Sequence, residues 1–350
     1  MGLDWSMRIP KTPYYSFAPI DSVGAVINII ETVRSRGKTF TAKYRAIRRF
    51  QRRGCGTYWV RRTENDTKKA KRSWIVGKKG AKLAKMCGVS VDDFKVDGDF
   101  ILFRWRGKWR RLIEFLTLST PSAERSSDES SFDTMILDEG IVSPRQRASF
   151  PGDEYDALMD IFWTKKRDDC PLRLYILSNK ESAYNPYYQY FGIPQKPIDW
   201  EGIATYRGGS IAVQVDLTIP ADRNDYDDKV RRAIAPTKYG SFVYAGRPRA
   251  YGEVAIRKKP PNATKYCQFD FGAPLSVWYA DGSAYFTSGV DRAAKVWVSD
   301  LTTKYKTARV FSRGDRVRFA SLIALRRQNR IYFEDEATAE NAIATLERLI

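Results

Sequence analysis

Histidine is absent from this 350-residue chain. That removes imidazole as general acid, general base and metal ligand, and leaves carboxylates, lysines, arginines and a carried-in Mg²⁺ for any chemistry. Cysteine is scarce, and Cys55, Cys87, Cys170 and Cys267 stand far apart without a C-x-x-C pair, so neither a zinc site nor a disulfide framework is expected. Apolar runs are short: none approaches the roughly 20 residues of a bilayer-spanning helix, and the opening MGLDWSMRIPK lacks a signal-peptide core. These absences predict a soluble, intracellular protein with no membrane partner. Acid is in short supply too, with 41 Asp and Glu against 60 Lys and Arg and a formal charge of +19. Such an excess points to a polyanionic partner, and nucleic acid suits it better than a membrane surface because no amphipathic anchor stands out. The length allows two domains, with a sizeable core in at least the larger.

What is present concentrates in residues 25–53. β-Branched residues crowd positions 26–30, while Ala42, Tyr44, Ala46, Ile47 and Phe50 recur at roughly helical spacing, which predicts a strand, a tight loop and a helix. Between them stand Gly37, Lys38 and Thr39. This is the second half of a phosphate-binding loop, where backbone N–H groups at a helix N-terminus cradle phosphates, the Lys reaches the β/γ oxygens and the hydroxyl binds Mg²⁺. The first half departs from G-x-x-x-x-G-K-[ST], since Thr32 occupies the place of the first Gly. Taken alone, Lys38 reads equally well as one more surface cation. A second signal lies at residues 134–139, TMILDE, an apolar strand ending in the two acids that a Mg²⁺-holding Asp and a water-activating Glu require, or else a strand running into an acidic turn. A third is the strand 172–177 followed by Ser178 and Asn179, which delivers small polar side chains to the same sheet end or simply turns there. Together the three favour a nucleotide hydrolase of the α/β class.

Arg34, three positions before Gly37, makes the loop resemble the variant pattern R-x-x-G-K-[ST] of viral genome-packaging ATPases. Four pieces extend the likeness to the DNA-encapsidation ATPases of phi-29-like small tailed phages: the loop and helix into Tyr58-Trp59-Val60-Arg61-Arg62; ILDE at 136–139; LSN at 177–179 with NPYY at 185–188; and the run from Ala320 through Tyr332 and Phe333 to the last helix. The resemblance spans most of the chain in the same order. It implies an α/β P-loop ATPase domain of the ASCE type, with a central and mostly parallel sheet, over residues 1–220. A linker at 221–248 and a small α+β domain at 249–350 follow, the latter an RNase H-like fold without its nuclease site. It further implies ATP and Mg²⁺, with Arg34 and Lys38 on the phosphates, Ser35, Arg36 and Gly37 completing the loop, and Thr39 and Asp138 on the metal. Glu139 would act on the attacking water, Asn179 would sense the γ-phosphate, and Arg167 or Lys166 would reach a neighbouring subunit's nucleotide. Tyr14 and Tyr15 would flank the adenine, although with Phe17 they serve equally to pin an N-terminal arm to the core. A Lys soon after the Arg-Arg pair faces DNA in the family. Here Glu64 stands near that place, leaving Arg62, Lys68 and Lys69 as the DNA-binding candidates.

Elsewhere the pattern is coarser. Arg45, Arg48, Arg49, Arg52 and Arg53 read as a solvated basic face of the first long helix. Residues 63–95 are strongly basic but interleave Trp74, Leu83, Met86 and Val89, which predicts a small helical excursion able to track phosphates. A hairpin is expected over 100–118, a helix over 153–163, and a strand over 210–219. Beyond 251, short strands at 253–256, 265–271, 274–280, 283–287, 295–299 and 307–311 precede helices near 316–326 and 336–349. Asp270, Asp281, Asp291 and Asp300 are the acids on which a large-terminase nuclease would have to draw, and turn or surface roles explain them equally well. The resemblance implies a motor that translocates double-stranded DNA into a procapsid as a homo-oligomeric ring, a pentamer by likeness. It would work at the portal in the host cytoplasm and be absent from the mature virion, with a packaging RNA and a terminal protein on the DNA as further partners. A basic nucleic-acid-binding protein without turnover is the alternative from another class.

Overall fold

The structure is a computed structural model that describes residues 14–34, 36–75, 77–119, 132–141, 154–166, 171–180, 185–194, 196, 200–218, 233, 256–271, 273–299, 304–328 and 330–349. Contacts divide the chain into two units, Met1–Lys180 with Glu201–Arg247 and Glu181–Trp200 with Pro248–Ile350. Ser35, Arg167, Asp300 and nearly all of 221–248 lie outside the described residues.

The first unit is built on a sheet whose strands are β1 (Ile27–Thr32), β2 (Gly56–Arg61), β3 (Phe94–Asp97), β4 (Phe100–Trp105), β5 (Lys108–Thr117), β6 (Phe132–Asp138), β7 (Arg173–Asn179), β8 (Gly202–Tyr206) and β9 (Ile211–Asp216). Among the described residues they run in the order β3-β4-β5-β2-β6-β7-β1-β9-β8. The stretch from β5 to β9 is parallel throughout, and β3, β4 and β8 join antiparallel at the edges. The central strands are covered on both faces, and their apolar character is continuous for that reason: Ile29, Ile30, Met135, Ile136, Leu137, Leu174, Ile176 and Leu177 are all buried. The β4–β5 hairpin turns at Arg106 and Gly107, both in the left-handed region (φ 50° and 76°). β8 is absent from the sequence-based expectation because Gly202 and the alternating half-exposed residues after it carry no strong apolar signal.

Helices α1 (Ala18–Val23), α2 (Lys38–Arg53), α3 (Glu64–Ile75), α4 (Lys78–Cys87) and α5 (Glu154–Lys165) accompany this sheet. α2 ends where Gly54 turns left-handed and donates its N–H to Phe50 O. The reading of its arginines as a solvated face is corrected for two of them, since Arg45 and Arg49 are buried. Arg45 donates to both carboxylate oxygens of Asp21 at 3.1 Å and to the Tyr175 hydroxyl at 2.9 Å, and that hydroxyl donates to Asp21 at 2.6 Å. Arg49 grips both oxygens of Asp133, one at 2.7 Å. The cause is that both point to the sheet side of α2, where Asp21 of α1, Tyr175 of β7 and Asp133 of β6 receive them, while Arg52 and Arg53 are exposed. α3 and α4 form the helical excursion expected within the basic segment.

The second unit contains a short helix α6 (Pro186–Tyr190) and a sheet of β10 (Thr264–Asp270), β11 (Pro274–Ala280), β12 (Ser283–Ser288), β13 (Lys295–Val298), β14 (Thr307–Val310) and β15 (Ile331–Phe333). Its order is β14-β13-β10-β11-β12-β15. β10, β11 and β12 form an antiparallel meander, while β13 runs parallel to β10, β14 parallel to β13 and β15 parallel to β12. Helices α7 (Ala320–Arg327) and α8 (Glu336–Leu349) bury Leu322, Ala342 and Leu346 with Phe269, Val277 and Phe286. β15 was not anticipated because three residues are too few to show a period. Of the strand expected at 253–256 only Ile256 is described, as a single bridge to Phe333.

Removing one partner of a buried ion pair strands the other charge, so Arg49→Met is expected to cost about 3–5 kcal/mol, against under about 0.5 kcal/mol for Arg52→Met on the surface. Equal chemical-denaturation midpoints for the two variants would refute the burial argument. Lys43, over the Trp74 ring at 5.3 Å, supplies a pH test. Burial pushes its amine down to about 8, against a smaller upward pull from Asp138. The unfolded chain therefore binds more protons between about pH 8 and 10, and stability rises with pH across that window. The rise should be smaller in Lys43→Met, and parallel stability-pH curves for the two proteins would contradict it.

Candidate active site

The ends of β1, β6 and β7 and the start of α2 converge. Gly37 precedes α2 with φ 84°, and a Cβ there would lie 2.6 Å from Tyr14 Cδ1, so both the turn and the close approach require glycine. The loop it closes presents the first N–H groups of α2, unpaired within the helix and at the positive end of its dipole. Lys38 is buried, and its ammonium donates to Thr32 Oγ1 at 2.8 Å and Asn179 Oδ1 at 2.9 Å. These two acceptors are register partners on neighbouring parallel strands. Thr32, where a glycine was expected, thus has a role of its own. Arg34 lies half-exposed in the loop. Arg36 pairs with Asp216 at 3.2 Å and accepts the Tyr15 N–H on its carbonyl at 2.8 Å.

At the end of β6, Asp138 Oδ1 accepts from the Thr39 hydroxyl at 2.8 Å. Glu139 is exposed and turns left-handed (φ 63°), which lifts its carboxylate out of the strand. A non-glycine residue held there stores strain of the kind found at functional sites. Arg61, at the end of neighbouring β2, bridges the two acids at 3.2 Å from Asp138 and 3.3 Å from Glu139. Sequence reasoning passed over Arg61. Its signal was a charged residue ending an apolar strand, but only the β2–β6 pairing says which acids it meets.

Two expectations are corrected. Tyr15 cannot stack on a base: it is fully buried, its hydroxyl donates to Gln214 at 2.6 Å, and with Phe17 it pins the N-terminal arm to the core. Tyr14 alone stays partly exposed beside the loop, against Phe40 (ring centroids 4.9 Å apart) and hydrogen-bonded to Lys82 at 2.6 Å. Arg62 does not offer a free cation to DNA, because its guanidinium forks onto Glu154 at 3.0 and 3.1 Å and onto the carbonyls of Glu139 and Gly140. It closes the loop behind the acids instead. Lys68 and Lys69 are exposed on α3, and Lys68 opens with Lys71, Arg72 and Lys95 on a cavity of about 580 Å³. Lys166 follows α5, half-buried.

In the second unit the acids stand apart. Asp270 accepts from Lys304 at 2.6 Å and from the Tyr305 hydroxyl, Asp291 lies 3.9 Å from Lys265, and Asp281 sits in the β11–β12 turn. Among the described residues no cluster of three metal-ligating side chains is found.

The "DNA packaging protein" of Bacillus phage B103 is 27% identical over 236 residues, 67% of this chain but only 64% of that protein, so the match spans less than two thirds of its length. That of Bacillus phage phi29 is 23% identical over 296 residues, 84% of each. The fold resembles the chain in the bacteriophage Phi-29 viral genome packaging motor assembly, at 18% identity and a TM-score of 0.62, covering 97% of this chain and 100% of that one. Residues 9–256 match the family described as Podovirus DNA encapsidation protein (Gp16), and with that match over most of its length the chain belongs to this family.

Proposed function

We propose that the protein is an ATP-driven motor that moves double-stranded viral DNA into a preformed procapsid. The observation that carries the reading is the convergence of Lys38, Thr39, Asp138 and Glu139 at the C-terminal ends of adjacent parallel strands, where open α/β sheets bind their ligands. The residues fit a Mg²⁺-nucleotide. Thr39 and Asp138 bring two hard oxygen donors to within 2.8 Å of each other, beside the first N–H groups of α2 that follow the left-handed turn at Gly37. Thr39 and Asp138 would hold the ion, which supplies neutralisation of phosphate charge.

The chain's own residues divide the remaining work. Thr32 and Asn179 are neutral acceptors, so they orient the Lys38 ammonium without cancelling its charge and can cede it to phosphate oxygens. Arg34, Ser35 and Arg36 complete the loop, and Asn179 doubles as the γ-phosphate sensor. Glu139 takes the proton of the attacking water, while Arg61 fixes where its carboxylate waits. Arg167 or Lys166, after α5, supplies the cation to a neighbour's phosphates in a homo-oligomeric ring seated on the portal. Lys68 and Lys69 track the DNA backbone.

The division of labour follows the proposed domains: hydrolysis in residues 1–220, a linker at 221–248 and an RNase H-like docking domain at 249–350. The order β12-β11-β10-β13-β14, with a meander followed by parallel additions, supports that fold for the last. Pairing of Asp270 with Lys304 and Tyr305 supports the absence of nuclease chemistry there, because a cation on the carboxylate repels a metal.

Lys38→Ala should abolish nucleotide binding in a fluorescence titration. Glu139→Gln should bind nucleotide within about twofold of the parent yet lose about 10²–10⁴ in kcat, since the amide keeps the shape but takes no proton. Parental turnover in either variant would overturn the assignment. Incubated with Mn²⁺ and supercoiled DNA, the full chain and Asp270→Ala should both leave it intact. Nicking by the parent that Asp270→Ala removes would instead identify a terminase nuclease.

A further inference from the structure

Behind the Lys38 site lies an ion pair that the reading above does not use. Glu31 Oε2 and Lys180 Nζ are 3.3 Å apart, with side chains 0% and 1% exposed. Each is a chain neighbour of one of the two residues that hold Lys38: Glu31 precedes Thr32 on β1, and Lys180 follows Asn179, the last residue of β7. Strand alternation turns Glu31 to the sheet face opposite Thr32. The backbone is tied at the same level, where the Lys180 N–H donates to Thr32 O at 2.9 Å and the Ser178 hydroxyl to Ile30 O at 3.4 Å. Charge here is not explained by stability, because a buried ion pair seldom outperforms an apolar pair of the same shape. It does fix geometry, since separating two buried opposite charges costs more than separating an apolar pair.

Resting on the ATPase reading of this site, we infer that Glu31 and Lys180 are positioning residues that clamp the ends of β1 and β7 in register. The clamp thereby sets the distance between Thr32 and Asn179. Neither touches nucleotide. They act through Asn179, which must meet the γ-phosphate while its neighbour strand holds the loop. The consequence is selective. ADP, which makes no demand on Asn179 and feels the clamp only through Lys38, depends on it less than a nucleotide with a third phosphate does.

The test uses the full chain carrying Glu31→Leu with Lys180→Met, which removes both charges of the pair together. Affinities for ADP and for the slowly hydrolysed analogue ATPγS are read by fluorescence titration, alongside thermal unfolding and kcat. The expected result is a melting temperature within a few degrees of the parent, ADP affinity within threefold, and a tenfold or greater loss in the ratio of ATPγS to ADP affinity with a matching fall in kcat. In an Asn179→Ala background the double substitution should add no further loss. A folded variant with a parental affinity ratio, or losses that multiply with Asn179→Ala, would leave the pair as scaffolding and overturn the inference. Should the apolar pair not fold, Lys180→Arg keeps the charges balanced but lengthens the cation. It should lower the ATPγS to ADP ratio at least threefold, and an unchanged ratio overturns the inference equally. If Lys38→Ala binds both nucleotides like the parent, it is the ATPase reading itself that fails.

Discussion

Everything at the candidate site depends on the position of one ammonium, that of Lys38, between a hydroxyl on β1 and an amide on β7. Thr32 and Asn179 are partners in a parallel ladder, so a slip of one residue would turn one of them to the other face of the sheet and release the lysine. The register is in turn marked by the polar groups these apolar strands carry, since Asn28 of β1 donates to Leu174 O of β7 and Glu31 pairs with Lys180, contacts that a slip would break. Gly37 completes the constraint from the helix side, since the left-handed turn before α2 aims the lysine back toward the strand ends. Fold and site are thus the same problem: the buried sheet exists in one register, and that register assembles the site.

The positive charge of the chain has two separate physical roles. Arg45, Arg49, Arg61, Arg62, Lys165 and Lys180 each pair with a carboxylate and are mostly hidden. They join elements distant in sequence, such as α2 to β6 and α5 to β5, and act as internal fasteners. The remainder, including Lys68, Lys69, Arg52 and Arg53, is exposed on the surface. A net charge computed from composition merges the two, and for that reason it predicts a partner but not a surface.

Much was legible because its physics is local. The absence of histidine, the Gly37-Lys38-Thr39 tripeptide at a strand-to-helix switch, the acids ending β6 and the polar pair ending β7 each follow from chain neighbours, and together they set out the candidate chemistry. The hairpin over β4 and β5, the helical excursion of α3 and α4, and the succession of short strands in the second unit were equally readable, since period and turn chemistry are properties of short windows.

Tertiary structure alone decided what depends on which strands are neighbours. Arg61 meets Asp138 and Glu139 because β2 lies beside β6, and Glu31 meets Lys180 because β1 lies beside β7. Arg45 reads from sequence as a surface cation on a basic helix, and Tyr15 equally as an adenine-flanking or a core aromatic, yet both are buried with polar partners outside their own element. The sequence by itself determined the candidate chemistry and the elements that carry it, because composition, spacing and periodicity act within a few residues. The folded sheet determined which charges are used up internally and which are left for a ligand, because pairing across the sheet is set by strand order and register, and no short window contains either.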